Sequence, residues 1–436
     1  MIFLYFFLIL LIGLYNTKSN KSIDYLFASR KITLTSFIAT IVTTWYGGIL
    51  EIGRFTYFNG IITFIIFGLF YYISAIIFTL YIAPRIHKNN IKSIPEYFNN
   101  NFGFLPGIIS SILIIFITSP APYILIMSII LKHIVNIDTS LSIFLSIALS
   151  TIYIYNGGYK AIIRTDKLQF VLMYLGFFIL LLFLYNNYGG YNYLINNVPK
   201  ENLSLQGHLS LSYIISWIFI AFIIIIDPCI FQRTFSCKNN SIIKKGLIIS
   251  IFCWIVFDLM TVTSGLYASA IIPKSELYGN PYLQLISIVL PPFWEKVFLL
   301  SLLAIIMSTI DSLSFVSAIT IGNTLNKFNN NIKDIKTGLL ITGILSFILC
   351  YSFKYALDIW YVFGSIAAAS LIIPFTYMLY KNNYSVKYPV LILLMPTILT
   401  STGFIISYPF NIDPIYIGLI SSLILNYIFS VKSRLG

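Results

Sequence analysis

Thirteen runs of mostly apolar residues follow one another along the chain, separated by short polar stretches: 2–17, 33–58, 61–84, 106–131, 139–156, 168–187, 210–231, 246–271, 293–325, 337–353, 356–380, 388–407 and 413–431. Most reach the roughly 17–25 residues that a helix needs to cross the hydrocarbon core of a bilayer. They are continuous, without the alternating ten-residue pattern of a membrane β-barrel, and so predict an all-α polytopic architecture. With no water in the bilayer core, each run must satisfy its backbone polar groups internally, which a helix does. No connecting stretch is long enough to hold a separate soluble domain.

Composition agrees with that pattern. Hydrophobic residues make up 58% of the 436, and charged residues only 9%, against about 25% in soluble domains. The mean hydropathy is +0.89. A net charge of +13 would suggest nucleic acid if the basic residues formed a face. They lie between the apolar runs instead, which excludes that class and makes them topology signals. With the N-terminus outside, Lys132, Lys200, Lys274 and Lys354 fall outside, and Arg54 and Lys296 near outer span ends. All other lysines and arginines, including Lys18, Lys160, Arg164, Lys167, Arg233, Lys432 and Arg434, then face the cytoplasm, as does the C-terminus. The first run is read as a retained helix rather than a signal peptide, since no basic residue precedes it. Cys229, Cys237, Cys253 and Cys350 lack metal-ligand spacing and are read as packing residues.

Two runs carry helix-breaking residues near their middles. The second reads Thr43-Thr44-Trp45-Tyr46-Gly47-Gly48, and the seventh, five runs later, reads Ile226-Asp227-Pro228-Cys229. Glycine loosens a helix backbone, and proline removes a donor and clashes with the preceding turn. A separation of five runs is what a five-plus-five repeat requires. The ninth run contributes Ser308-Thr309-Ile310-Asp311-Ser312, oxygen donors suited to an alkali cation. The plainer reading has these hydroxyls bonded to carbonyls one turn back. An intramembrane Asp311 needs a partner and marks a functional position.

Several ordered segments resemble the sodium:solute symporter family. They are Asp24-Tyr25-Leu26-Phe27-Ala28-Ser29-Arg30; Ala83-Pro84-Arg85 with Ser93-Ile94-Pro95-Glu96; Gly157-Gly158-Tyr159-Lys160-Ala161 with Thr165-Asp166 and Gln169; Gln232-Arg233; and Met307 to Ser312. The similarity spans about residues 23–380. It implies a five-plus-five inverted-repeat (LeuT-like) transporter core with about 13 transmembrane helices. An added helix and cytoplasmic loop would occupy 1–31, the first repeat 32–190, the second repeat 209–381, and two further helices 387–436.

The resemblance also implies a sodium-coupled symporter importing a small organic solute by alternating access, in a bacterial cytoplasmic membrane. Sodium is the coupling ion, with no other cofactor. The implied sodium ligands are the carbonyls of Val42, Trp45 and Ile305 and the hydroxyls of Ser308 and Thr309. Asp166 becomes an ion-release or gating carboxylate, or else a helix N-terminal acid opposite Arg164 or Lys167. Asp311 is grouped with it. Substrate candidates are Gly47, Gly48, Glu51, Asp227 and Trp360, although Glu51 also reads as an ion pair with Arg54. Asp258 and Asp358 have no assigned role. The partners expected are a solute, sodium and lipid, with no nucleic acid and an open oligomeric state. Two alternatives stay open: proton coupling through Asp227, Glu51 or Asp311, and a transporter-like sensor. An enzyme is disfavoured because no acids or histidines cluster on one membrane face.

Overall fold

The computed structural model describes residues 1–15, 21–329, 331–353, 355–381, 384–406 and 412–430, without the side chains of residues 2 and 3. The charge expectations at Lys18, Lys354, Lys432 and Arg434 lie outside these residues. Every one of the thirteen apolar runs contains a helix. Among the described residues, nine helices are long and apolar enough to cross a membrane. The other runs hold shorter or broken helices, including Ile2–Leu14, Leu34–Trp45 with Ile49–Asn59, and Pro414–Phe429.

One of the nine corrects the expected loop between the fifth and sixth runs. Thr139–Tyr188 is 50 residues of helix with one interruption; laid out straight it would run about 75 Å, which no single crossing of a ~30 Å core accommodates. The chain turns inside it at Gly158, whose φ of +55° and ψ of −147° are non-helical. Lys160, Arg164 and Lys167 therefore sit on helix rather than in a loop.

The Asp24-to-Arg30 segment closes this turn. The Tyr25 hydroxyl donates to the carbonyls of Ile154 and Tyr155, each at 3.2 Å, which the kink leaves without helical partners. Lys160 pairs with Asp24 at 2.5 Å, and Gln232 Nε2 donates to the Leu26 carbonyl at 3.0 Å. Arg30 Nε reaches the Phe235 carbonyl at 3.0 Å. Motif residues far apart in sequence are thus joined at one end of the molecule.

Pro292–Leu325 is the central pillar, with 94% of its most apolar window buried, against 28% for the peripheral Pro389–Ile406. It packs on the long Thr139–Tyr188 helix, on Ile332–Ser352 and on Leu34–Trp45. Serine and threonine recur along it at Ser301, Ser308, Thr309, Ser312, Ser314, Ser317 and Thr320, all buried. Small hydroxyl residues let membrane helices approach closely and bond across the interface.

Gly158→Ala tests the turn. The new Cβ would lie 2.6 Å from the Tyr25 carbonyl oxygen, in a φ region costly for any L side chain. A stability loss of about 1–3 kcal/mol is expected, read as a lowered unfolding temperature. Gly364→Ala, whose Cβ meets its nearest neighbour at 3.4 Å, should leave that temperature near the parent value.

Candidate functional site

The break in the second run follows from its sequence. Leu34–Trp45 stops at Tyr46, and helix resumes at Ile49 with Gly48 as its cap. The last four carbonyls of the first half, Val42 to Trp45, have no acceptor role left inside their own helix. The paired glycines are required by contact. A Cβ on Gly47 would come within 2.5 Å of the Thr309 and Tyr123 side chains, and one on Gly48 within 1.9 Å of the Trp360 ring.

The seventh run breaks opposite. Leu211–Ala221 tightens through Phe222–Ile226, and a new helix, Pro228–Ser236, begins after Asp227. Asp227 caps it, accepting from the Ile230 amide at 2.9 Å, and Pro228 takes the first helical position, where a missing N–H costs nothing.

Between the breaks lies a buried polar joint. Thr309 Oγ1 donates to the Thr44 carbonyl at 2.8 Å, bridging the central pillar to the open end of Leu34–Trp45. Ser308 Oγ donates to Asp166 Oδ1 at 2.6 Å, and Thr40 Oγ1 donates to the other Asp166 oxygen. Asp166 is fully buried. Its cationic neighbour is Arg233, with Nη2 4.0 Å from Oδ2, and not Arg164 or Lys167. Arg164 instead donates to the Tyr15 carbonyl, so the helix-end reading of Asp166 does not describe its surroundings.

Arg233 also departs from its assignment as a cytoplasmic loop residue. It is 1% exposed. Its Nη2 donates to Thr44 Oγ1 at 2.6 Å, Ser312 Oγ at 2.8 Å and Thr40 Oγ1 at 2.9 Å, and its Nη1 to the Cys229 carbonyl at 3.1 Å. The guanidinium thereby ties both broken helices to the pillar. The proline start at 228 holds the signal for this: Arg233 follows it by only one and a half helical turns, at the depth of the break.

Above the joint is a cavity of about 190 Å³, walled by Thr44, Trp45, Gly48, Asp227, Arg233, Asp258 and Trp360 among others. It gathers Trp45, Gly48, Asp227 and Trp360 from the sequence expectations. Gly47 faces Thr309 and Tyr123. Glu51 lies off this wall, 7% exposed and 3.6 Å from Arg54, whose guanidinium rests 4.0 Å from the Tyr355 ring centre. Asp311, also fully buried, takes the Tyr153 hydroxyl on the far side of the pillar. Val42 and Ile305 are fully buried, and the Ile305 carbonyl lies 3.4 Å from Thr309 Oγ1. Asp258 was the unassigned acid that lines the cavity; Asp358 is exposed.

These features define a polytopic helical membrane protein of the LeuT-like fold, with two broken helices meeting at a buried site. Across its full length the chain superposes on a Na+-coupled sialic acid symporter in a substrate-bound outward-open state, with a TM-score of 0.82, 16% identity and 98% of that chain covered. Mhp1, a nucleobase-cation-symport-1 family transporter in a closed conformation, matches at a TM-score of 0.59 and 14% identity, over 96% of this chain and 98% of that one.

Residues 25–353 match the family model of the sodium:solute symporters, and the chain belongs to that family. The sodium/pantothenate symporter of Haemophilus influenzae is 27% identical over 238 residues, 50% of this chain and 49% of that protein. Sheep (Ovis aries) sodium/glucose cotransporter 1 is 29% identical over 205 residues, 38% of this chain and 30% of the relative. The matched segments thus span half or less of these curated relatives.

The joint predicts strong coupling between Arg233 and Asp166. Arg233→Met leaves a buried carboxylate without its cation and should cost about 3–5 kcal/mol. Adding Asp166→Asn to that variant should restore part of the loss. A double-mutant cycle from unfolding measurements checks this, and additive effects would refute the coupling.

Proposed function

We propose that this protein is a sodium-coupled symporter that imports a small organic solute by alternating access. One observation carries the reading most: Ser308 and Thr309 face the open carbonyl end of Leu34–Trp45, beside Asp166. Hydroxyl and carbonyl oxygens suit a monovalent cation, whose weak field does not demand several carboxylates. The proposed sodium ligands are the Val42, Trp45 and Ile305 carbonyls with the Ser308 and Thr309 hydroxyls. Family membership and the similarity to named sodium symporters support the assignment.

In the proposed cycle, sodium replaces the direct Thr309–Thr44 bond and orders the break at Tyr46 to Gly48. The solute enters the cavity above, against Gly48, Asp227 and Trp360. The bundle of helices that carries the two breaks then rocks, and sodium leaves inward past Asp166. A membrane potential of 100 mV adds about 2.3 kcal/mol per charge moved inward. We place the N-terminus outside and the C-terminus in the cytoplasm of a bacterial inner membrane, from the loop charge bias.

A second reading, proton coupling on the same fold, draws on Asp311. Its Oδ2 accepts from Tyr153, and it is an intramembrane carboxylate buried on the pillar beside Ser150, the kind of residue that proton-coupled carriers use. Its position across the pillar from the cavity makes it the weaker candidate.

Thermal unfolding in sodium, potassium or choline chloride at equal ionic strength separates the two. A ligand that binds only the folded state raises the midpoint with concentration over Kd. Sodium alone should stabilise the parent, and Ser308→Ala/Thr309→Ala should abolish that shift while the protein still folds. Survival of the sodium shift in the double variant would mean the ion sits elsewhere. A cation-independent midpoint that moves with pH and is fixed by Asp311→Asn would favour the proton.

A further inference from the structure

The protein has five tryptophans in all, and four of them, Trp45, Trp217, Trp254 and Trp360, line the central cavity. Two tyrosines that pack against them, Tyr71 edge-on to Trp45 and Tyr123 tilted on Trp360, lie on the same wall. The acids there are Asp227 and Asp258. Asp227 is only partly buried, and its cap bond to Ile230 uses one oxygen. Asp258 accepts from the Tyr72 hydroxyl and lies beside the Tyr46 hydroxyl. It also sits against an irregular, wider turn of the neighbouring helix at Ile65–Leu69, where a Cβ on Gly68 would be 3.4 Å from Asp258 Oδ2. Such wide turns occur often at functional sites.

Charge balance on this wall leaves a surplus. Among the described lining residues Arg233 is the single cation; its Nη donors face Thr40, Thr44, Ser312 and the Cys229 carbonyl, with Asp166 opposite and Asp227 also within its field. Asp166, Asp227 and Asp258 therefore share one cation, an excess of two carboxylates. Among the described lining residues there is no asparagine, glutamine, histidine or lysine, so these residues offer none of the convergent amides that suit a polyol. Aromatic faces attract cations through the ring quadrupole, and more strongly where water is excluded.

Resting on the transport reading above, we propose that the solute is a small organic cation, an ammonium head with an apolar body. The head sits between Asp227 and Asp258 against the tryptophan faces, and the body fills the apolar remainder. The cavity volume of about 190 Å³ exceeds the ~150 Å³ of a cavity that takes benzene, which leaves room for a head with a short apolar body. The same surplus of negative charge disfavours a carboxylate solute such as pantothenate.

The test uses the purified full chain in sodium chloride, with unfolding midpoints recorded against butylammonium, butyltrimethylammonium, uncharged 1-pentanol, glucose and pantothenate. At least one ammonium should raise the midpoint in a saturable way, and 1-pentanol, glucose and pantothenate should not. Asp227→Asn and Asp258→Asn should each weaken the ammonium response by about tenfold or more. Asparagine still caps the Pro228–Ser236 helix and still accepts from Tyr72, so both variants should fold; Asp227→Asn alone decides if the other does not. Stabilisation by glucose or pantothenate but by neither ammonium overturns the proposal. So does no ammonium response up to roughly 10 mM, or a response that the variants leave intact. The shift from potassium to sodium without solute is read alongside. If it persists while the ammoniums fail, the inference falls and the symporter reading stands; if it is missing, the symporter reading itself falls.

Discussion

A buried guanidinium holds the two interrupted helices to the central pillar. Arg233 reaches Thr40 and Thr44 on one side of the break and Ser312 on the pillar, while its own helix starts only at Pro228. A charge so placed is tolerated only because Asp166 stands opposite and the hydroxyls of Thr40, Thr44, Ser308 and Ser312 bond to one or the other. Ser308 belongs to that arrangement, and Thr309 extends it to the Thr44 carbonyl. The cation site proposed at those hydroxyls is therefore continuous with the network that fastens the break.

That continuity would give the proposed alternating access a physical basis. An ion that draws the Thr309 hydroxyl and the Val42 and Trp45 carbonyls to itself changes what Thr44 and Ser312 offer to Arg233. The packing around the break is tight, with Gly48 under the Trp360 ring and Gly47 against Thr309. Close-packed interiors shift between discrete arrangements rather than deforming smoothly.

Much of the fold was legible in the sequence, because helices in lipid announce themselves by long apolar runs. All thirteen runs contain helix, and both breaks fall where Gly47-Gly48 and Asp227-Pro228 placed them. The turn at Gly158 was less legible: Lys160, Arg164 and Lys167 looked like loop charges, yet the helix runs through them once the turn is made. Arg233 was misassigned for a related reason. Counting cations by loop assumes that a polar stretch is outside the membrane, whereas Phe231-Gln232-Arg233-Thr234 is polar because it bonds to other helices inside the protein. Asp258 had no local signal, since its role comes from residues such as Tyr72 that are distant in sequence. Side-chain partners across helices are set by packing, which periodicity does not encode.

The concentration of indoles has an optical consequence. With four of five tryptophans on one cavity wall, the intrinsic fluorescence of the whole protein is dominated by a single location. Trp45 and Trp254, whose ring centres lie 5.1 Å apart, are close enough to exchange excitation. Any change in the water content or occupancy of the cavity therefore alters the colour and brightness of the native emission, and the protein carries its own reporter without a label.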